Sequence, residues 1–256
     1  MDLRLKFNED ARGYDRWRPT YTAELFQDIL HYSGLKKDGH ALEIGIGTGQ
    51  ATLPVLETGC RVTAVELGDS LAEFVRHKYA AYANLEVITG DFGSFAGEEA
   101  AFDLIYSATA FHWIPQEAGL AKVLGLLKPG GTLALFWNHP FVNREDDPAH
   151  RDIRLSYAKY KPVDVPPREF DGSACPAYAE QLEKAGFAEV ASRLYYATRT
   201  LNADSYLALL NTYSDHRALP GPIREGLEGE IAGAIERNGG QLNIYDTMDL
   251  YLARKS

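Results

Sequence analysis

The sequence predicts an α/β fold: a Rossmann-like, seven-stranded, mostly parallel sheet with helices on both faces and its last strand antiparallel. Three observations predict it. From Pro19 to Trp137, short apolar runs alternate with segments of helical period, and strands separated by helices pair in parallel. The first apolar run ends in Glu43-Ile44-Gly45-Ile46-Gly47-Thr48-Gly49, a tight turn of the kind that open α/β sheets place over a ligand. After a proline-rich break two long strand-like segments return, and 243–253 is placed to pair antiparallel with 187–198.

The elements follow in order. Leu25, Phe26, Ile29 and Leu30 make an apolar stripe at helical spacing, opened by Pro19. Residues 40–46 form the first strand and 50–58 a helix that stops at Gly59. The second strand is 61–66. Asp69 or Ser70 caps the next helix, which carries Leu71, Phe74, Val75, Tyr79 and Tyr82 on one face. Strands at 85–89 and 102–107 precede a helix at 116–127, which Lys128-Pro129-Gly130-Gly131 ends. The fifth strand is 132–137. The rhythm breaks over 138–176, which holds Pro140, Pro148, Pro162, Pro166, Pro167 and Pro176 and one helix at 148–160. Connections of this length are usually functional or disordered. Then come a helix ending at Gly186, the strand 187–198, helices at 203–212 and 222–236, and the strand 243–253. Gly226, Gly229 and Gly233 weaken the helix at 222–236. No second core is read. One domain is expected: lid and helix over 1–35, cofactor-binding core over 36–137, substrate-side insert over 138–176, helices and strand pair over 177–256.

Composition narrows the function classes. The 256 residues are 45% hydrophobic and 24% charged, ordinary for a globular chain. Lys and Arg total 26 against 36 Asp and Glu, a formal net charge of −10. The global basic footprint of a nucleic-acid or anionic-membrane binder is missing. Two cysteines, Cys60 and Cys175, are too few for a disulfide framework or a metal cluster, and no metal site is expected. The opening MDLRLKFNEDARGYDRW has no apolar stretch of a secretory signal, and no run approaches a membrane helix. A cytoplasmic setting without membrane or nucleic-acid partners is the expectation.

The glycine turn carries the strongest signal. Gly45, Gly47 and Gly49 permit a tight turn and close approach of backbone N–H groups to a ligand. Glu66 ends the second strand, where a nucleoside-binding fold puts the acid that receives ribose hydroxyls. The pyrophosphate pattern G-x-G-x-x-G/A fails: counted from Gly45 it ends on Gln50, and from Gly47 on Thr52. The turn therefore suits a ligand without phosphate, and Glu43 could neutralise an ammonium on an amino-acid tail.

With these motifs the sequence resembles the class I methyltransferases that use S-adenosylmethionine. ALEIGIGTGQAT looks like the family's first motif, VTAVELGDSL the second, EVITGDFGSF the third, FDLIYSATAFHWI the fourth-strand motif and LLKPGGTLALFW the approach to the fifth strand. The resemblance implies S-adenosyl-L-methionine as cofactor. It implies Glu66 at the ribose, Asp91 at the adenine amino group, Phe92 along the base, Leu67 and Ser107 among the other cofactor-binding residues, and the AFHWI segment with His112 beside the cofactor. FNEDARGYDRWRPTY is similar to the lid of a small-molecule subgroup that includes the trans-aconitate methyltransferase type, with Tyr14 and Arg18 closing over the cofactor. Plainer roles compete: Asp91 could cap the next turn, and Arg18 could lie over Trp17.

Methyl transfer from a sulfonium is an in-line displacement that needs alignment and exclusion of water more than activation. A carboxylate acceptor needs no base; a phenol or amine could use a histidine. His112, after the fourth strand, is the catalytic candidate and His139 the second, each with a structural role as the alternative. The loop Ser107-Ala108-Thr109-Ala110-Phe111 lacks the Asn/Asp-Pro-Pro-aromatic run of exocyclic-amine methyltransferases, which argues against nucleic acid. A small-molecule acceptor is expected. A carboxylic acid would be held by a local clamp from Arg144, Arg151, Arg154, Arg168 and Arg217, unless these only pair with nearby acids. Tyr157, Tyr160, Tyr178 and Tyr213 could equally line an aromatic pocket. Two alternatives stand beside this: a cofactor-binding protein without turnover on the same scaffold, and a nicotinamide-dependent oxidoreductase, which the glycine spacing disfavours.

Overall fold

The computed structural model describes residues 10–162, 165 and 167–256; Phe7, Asn8 and Glu9 of the lid motif and Pro166 of the insert lie outside them. The chain begins with α1 (Ala11–Trp17) and α2 (Ala23–Ser33), then β1 (His40–Ile44), α3 (Leu53–Leu56), β2 (Arg61–Glu66), α4 (Asp69–Lys78), β3 (Leu85–Thr89) and β4 (Phe102–Ala108). It continues with α5 (Gln116–Leu126), β5 (Leu127–Phe141), α6 (Pro148–Tyr160), α7 (Cys175–Lys184) and β6 (Phe187–Leu201). It closes with α8 (Ala203–Leu210), α9 (Ser214–Arg217), α10 (Gly221–Arg237) and β7 (Leu242–Lys255).

The seven strands form one sheet in the order β3-β2-β1-β4-β5-β7-β6. β1 through β5 pair in parallel, and β7 is antiparallel to both β5 and β6, as the sequence predicts. The alternating faces of the strands make two cores. Ala41, Val62, Leu104, Tyr106, Phe136 and Leu250 pack against Leu25 and Ile29 of α2, Val55 of α3 and Val75 of α4. Leu42, Ile44, Val65, Ile105, Leu133 and Leu135 face Leu120 and Val123 of α5 and Leu182 of α7. The chain leaves β1 toward β3 and then crosses back to β4, so the strand order reverses between β1 and β4. A crevice opens at the carboxyl ends of strands at such a reversal.

Several boundaries differ from the expectation. β1 stops at Ile44 and the helix after it shrinks to Leu53–Leu56, because the glycine turn occupies the space between. Gly68, not Asp69 or Ser70, is the N-cap of α4, which ends at Lys78, so Tyr79 and Tyr82 pack from the turn beyond it. Lys128-Pro129-Gly130-Gly131 does not separate α5 from the fifth strand but belongs to β5. At the other end β5 runs to Phe141, with Pro140 opposite Asp246 of β7. Pro140 is tolerated because β4 has already ended opposite Phe136, so its missing N–H faces no strand on that side.

A third apolar cluster lies beside the two that flank the sheet. Ile153 of α6, Leu209 and Leu210 of α8, and Leu227, Ile231 and Ile235 of α10 pack together with Leu242 and Ile244 of β7. The insert and the late helices thus build one helical cap joined to the sheet through β7. Its packing also answers the glycines in α10: a Cβ on Gly226 would sit 2.6 Å from the ring of Tyr160 in α6.

Candidate active site

The glycine turn folds as its residues dictate. Gly45, Gly47 and Gly49 have φ of +73°, +58° and +82°, a region that L side chains rarely occupy. Space adds to this at two of them: a Cβ on Gly45 would lie 2.5 Å from Ala110 and one on Gly49 2.5 Å from the Tyr79 ring. The turn is tied to β2 by its acid. Gly47 N–H donates to Glu66 Oε2 (2.9 Å) and Gly68 N–H to Glu66 Oε1 (2.8 Å). Burial raises the pKa of Glu66, and these N–H bonds draw it back.

Two chambers open over this turn. The first, about 260 Å³, is lined by Glu66, Leu67, Asp91, Phe92 and His112 among others. The second, about 240 Å³, is lined by Glu43, Tyr21, Gln50 and Asn138. Tyr14, Arg18, Gly45, Gly47, Thr109 and Tyr213 line both, so the chambers are two ends of one cleft. Most of the residues singled out in the sequence converge here. Ser107 and Gly49 do not: the Ser107 hydroxyl is buried in the sheet and donates to Ile44 O (2.8 Å), and Gly49 backs onto Tyr79. Asp91 lines the first chamber and also accepts from Gly93 N–H (2.7 Å), capping the next turn.

The two ends differ chemically. Glu66 offers a carboxylate beside the apolar ring of Phe92. Glu43 is buried (1% exposed). Its Oε2 accepts from the hydroxyls of Thr52 (2.7 Å) and Tyr106 (2.8 Å), while Oε1 has no partner among the described residues. Burial pushes its pKa up to about 7. A bare buried carboxylate oxygen is a place for a ligand cation.

The roof comes from both ends of the chain. The Arg18 guanidinium lies 4.8 Å from the Tyr14 ring and 4.2 Å from the Tyr213 ring. Its Nε and Nη2 donate to Thr212 Oγ1 (2.9 Å) and O (2.8 Å). Arg16, not Arg18, lies over Trp17. On the other flank Lys78 Nζ holds Asp15 of α1 (2.6 Å) and the carbonyl of Thr48 in the glycine turn (2.9 Å).

His112 lines the first chamber, and its Nδ1 accepts from the Trp137 indole N–H (3.0 Å). Indole only donates, so the ring proton of neutral His112 sits on Nε2. Burial lowers its pKa. His112 therefore presents an N–H rather than a lone pair. His139 is elsewhere: its Nε2 pairs with Asp249 Oδ1 (3.0 Å), it stacks on Phe170, and it lines a third cavity with Arg168. Of the five arginines proposed as a clamp, none lines either chamber; Arg144 pairs with Glu169 and covers the Tyr245 ring. Of the four tyrosines, only Tyr213 does.

Three wall residues carry no signal in the sequence. Thr109 is β-branched yet has φ +50°, a costly conformation. Its hydroxyl bonds Tyr21 OH (2.7 Å) and accepts from Asn138 N–H (3.3 Å). Tyr21, Thr109 and Asn138 come from three distant segments, and only the fold joins them.

Comparison with known proteins bears on this cleft. Residues 41–131 match the methyltransferase domain family. The chain is 26% identical over 97% of its length to an uncharacterized methyltransferase-like protein of Schizosaccharomyces pombe, covering 94% of that protein. Among solved structures, a candidate type II methyltransferase from Anaeromyxobacter dehalogenans is similar with a TM-score of 0.63 at 20% identity, over 93% of this chain and 98% of that one. Phosphoethanolamine N-methyltransferase 2 of Haemonchus contortus, solved with phosphomonomethylethanolamine and S-adenosylhomocysteine, has a TM-score of 0.57 at 14% identity, over 100% of this chain and 60% of that one. Among the described residues no helix is long and apolar enough to cross a membrane.

Proposed function

We propose that the chain, which matches the methyltransferase domain family over residues 41–131 and shares the fold of methyltransferases, uses S-adenosylmethionine to methylate a small-molecule acceptor bound in the cleft beside the cofactor. The residues fit that cofactor from end to end. Glu66 would receive the ribose hydroxyls, with Leu67, Asp91 and Phe92 around the adenine and Gly45 and Gly47 beneath. Glu43 Oε1 would receive the ammonium, with Tyr14 and Arg18 as the roof. When bound, the cofactor supplies an electrophilic methyl on a cationic sulfur, whose C–S electron pair leaves with the sulfur. This chain's part is to align the acceptor and exclude water, which the two-sided roof serves.

The observation that carries this reading is the bare Glu43 oxygen at one end of a cleft whose other end is Glu66. Calorimetry with S-adenosylmethionine and S-adenosylhomocysteine tests it; absence of binding at high micromolar concentration sinks it. Glu66→Ala is expected to weaken S-adenosylhomocysteine by roughly 1–3 kcal/mol, the worth of hydrogen bonds to a charged group. An unchanged affinity removes Glu66 from the site.

A small acceptor is supported by the size of the chambers, the acidic net charge, and the small-molecule ligand of the phosphoethanolamine methyltransferase neighbour. The trans-aconitate type enters only through the lid motif, which supports roof roles for Tyr14 and Arg18. Its carboxylate substrate class has no arginine of the expected clamp in either chamber; Arg168 lines the third cavity, which shares Asn138 and Pro140 with the second.

A further inference from the structure

Resting on the reading of the cleft as a methyl-transfer site, we propose that the acceptor is an amine whose N–H is received by the side-chain oxygen of Asn138. Asn138 follows the core of β5 and lines the second chamber and, with Pro140, the third cavity, where Arg168 stands near Glu169 and Asp171. Its Nδ2 donates to Asp246 Oδ1 (2.8 Å). A carboxylate can only accept, so this bond fixes which way the amide points. Asp246 is itself held by Arg199 through two hydrogen bonds. Asn138 Oδ1 is then a buried acceptor without a partner among the described residues. Natural proteins seldom leave such an atom bare, and in a residue that lines a cavity a small side-chain shift would present it to a ligand's donor.

The chemistry of the walls narrows that donor. An alcohol or phenol must lose its proton to attack well, and the second chamber has no group poised to take it. Burial keeps Tyr14, Tyr21 and Tyr213 protonated. Glu43 would be engaged by the cofactor's ammonium, and Arg18 cannot accept a proton. In the adjoining chamber the His112 lone pair is taken by Trp137. A carboxylate attacks as it stands in water, and an alkylamine, mostly ammonium near pH 7, can shed its proton to bulk water before it enters and attack as the free base, which an alcohol cannot do. A carboxylate brings only oxygens to face the Asn138 oxygen. An amine brings an N–H for that oxygen and keeps its lone pair for the methyl. Its nitrogen forms the new N–C bond as the C–S bond breaks, the electron pair of that bond stays on sulfur, and the product ammonium gives its proton to water on leaving.

The test pairs binding with turnover. The probes are ethanolamine, tyramine and phenethylamine, matched to citrate, aconitate and phenylacetate and to phenethyl alcohol. Each is titrated into the S-adenosylhomocysteine complex by calorimetry, then incubated with S-adenosylmethionine carrying a trideuterated methyl and read by mass spectrometry. Expected is binding and labelling of at least one amine and of no carboxylate or alcohol. Asn138→Ala is expected to raise the KM for that amine at least 10-fold, far more than it weakens S-adenosylhomocysteine, with an unchanged circular dichroism spectrum as the check on folding. Labelling of a carboxylate or alcohol with the amines inert, no amine binding to the complex, or an amine KM indifferent to Asn138→Ala overturns the proposal and leaves the methyltransferase reading standing. Failure of S-adenosylhomocysteine itself to bind overturns that reading and the proposal with it.

Discussion

Glu43 is a carboxylate that the fold holds between charged and neutral. Its pKa rises from an ordinary 4.5 to about 7 because burial penalises the anion more than Thr52 and Tyr106 favour it. Between those values the native protein holds a proton that the unfolded chain has lost. Stability of the free protein therefore falls as pH rises from about 4.5 to about 7. Urea denaturation at pH 5 and pH 8 checks this, and Glu43→Gln should remove that part of the slope. An arriving ammonium favours the anion, so cofactor binding near pH 7 should release a proton, visible as a buffer-dependent heat. For His112 the expectation is a neutral ring protonated at Nε2, read from nitrogen chemical shifts. Trp137→Phe removes the donor that favours the neutral form and should raise its pKa; a His112 protonated at Nδ1 in the native protein contradicts the assignment. Glu43 and Glu66 were legible in sequence because a strand and a glycine turn fix their positions. Asn138 was not, since its bare oxygen is defined by Asp246, 108 residues on.

At the scale of elements, the helices show where local preference yields to packing. α10 forms despite its glycines because its apolar face is buried against α6 and α8. Two of those glycines should respond oppositely to the same change. At Gly226 a Cβ meets Tyr160, so Gly226→Ala is expected to destabilise by about 1–3 kcal/mol. At Gly229 nothing lies within 4 Å, so Gly229→Ala should stabilise by about 0.5–1 kcal/mol through backbone entropy. Denaturant titration of both variants decides. Helix α1 is tied to the glycine turn through Lys78, which makes a partly buried ion pair with Asp15. Lys78→Ala should speed S-adenosylhomocysteine release about 2- to 5-fold, the worth of a modest ion pair, and raise amide exchange in α1. Unchanged release would show that α1 does not gate the cleft. The order of strands and helices was readable from period alone. Their ends were not: β5 is lengthened by a partner, β7, that lies more than a hundred residues later.

For the whole molecule, the parallel sheet and the glycine turn under the cleft were legible because every signal lies within short sequence windows. The helical cap was not, because its cluster gathers α6, α8 and α10 across α7 and β6. The roof of the cleft depends on the meeting of Arg18 with Thr212 and Tyr213, contacts spanning 194 residues and more. The strand order has a further consequence, for the sequence of events during synthesis. β7 lies between β5 and β6 although it follows both in the chain. When the ribosome has delivered residue 201, β6 has no neighbour to join and β5 still has an open edge. Both wait for residues 242–255. The nascent chain thus exposes two adhesive edges for the time it takes to make the cap helices, which is when a chaperone would find the most to hold.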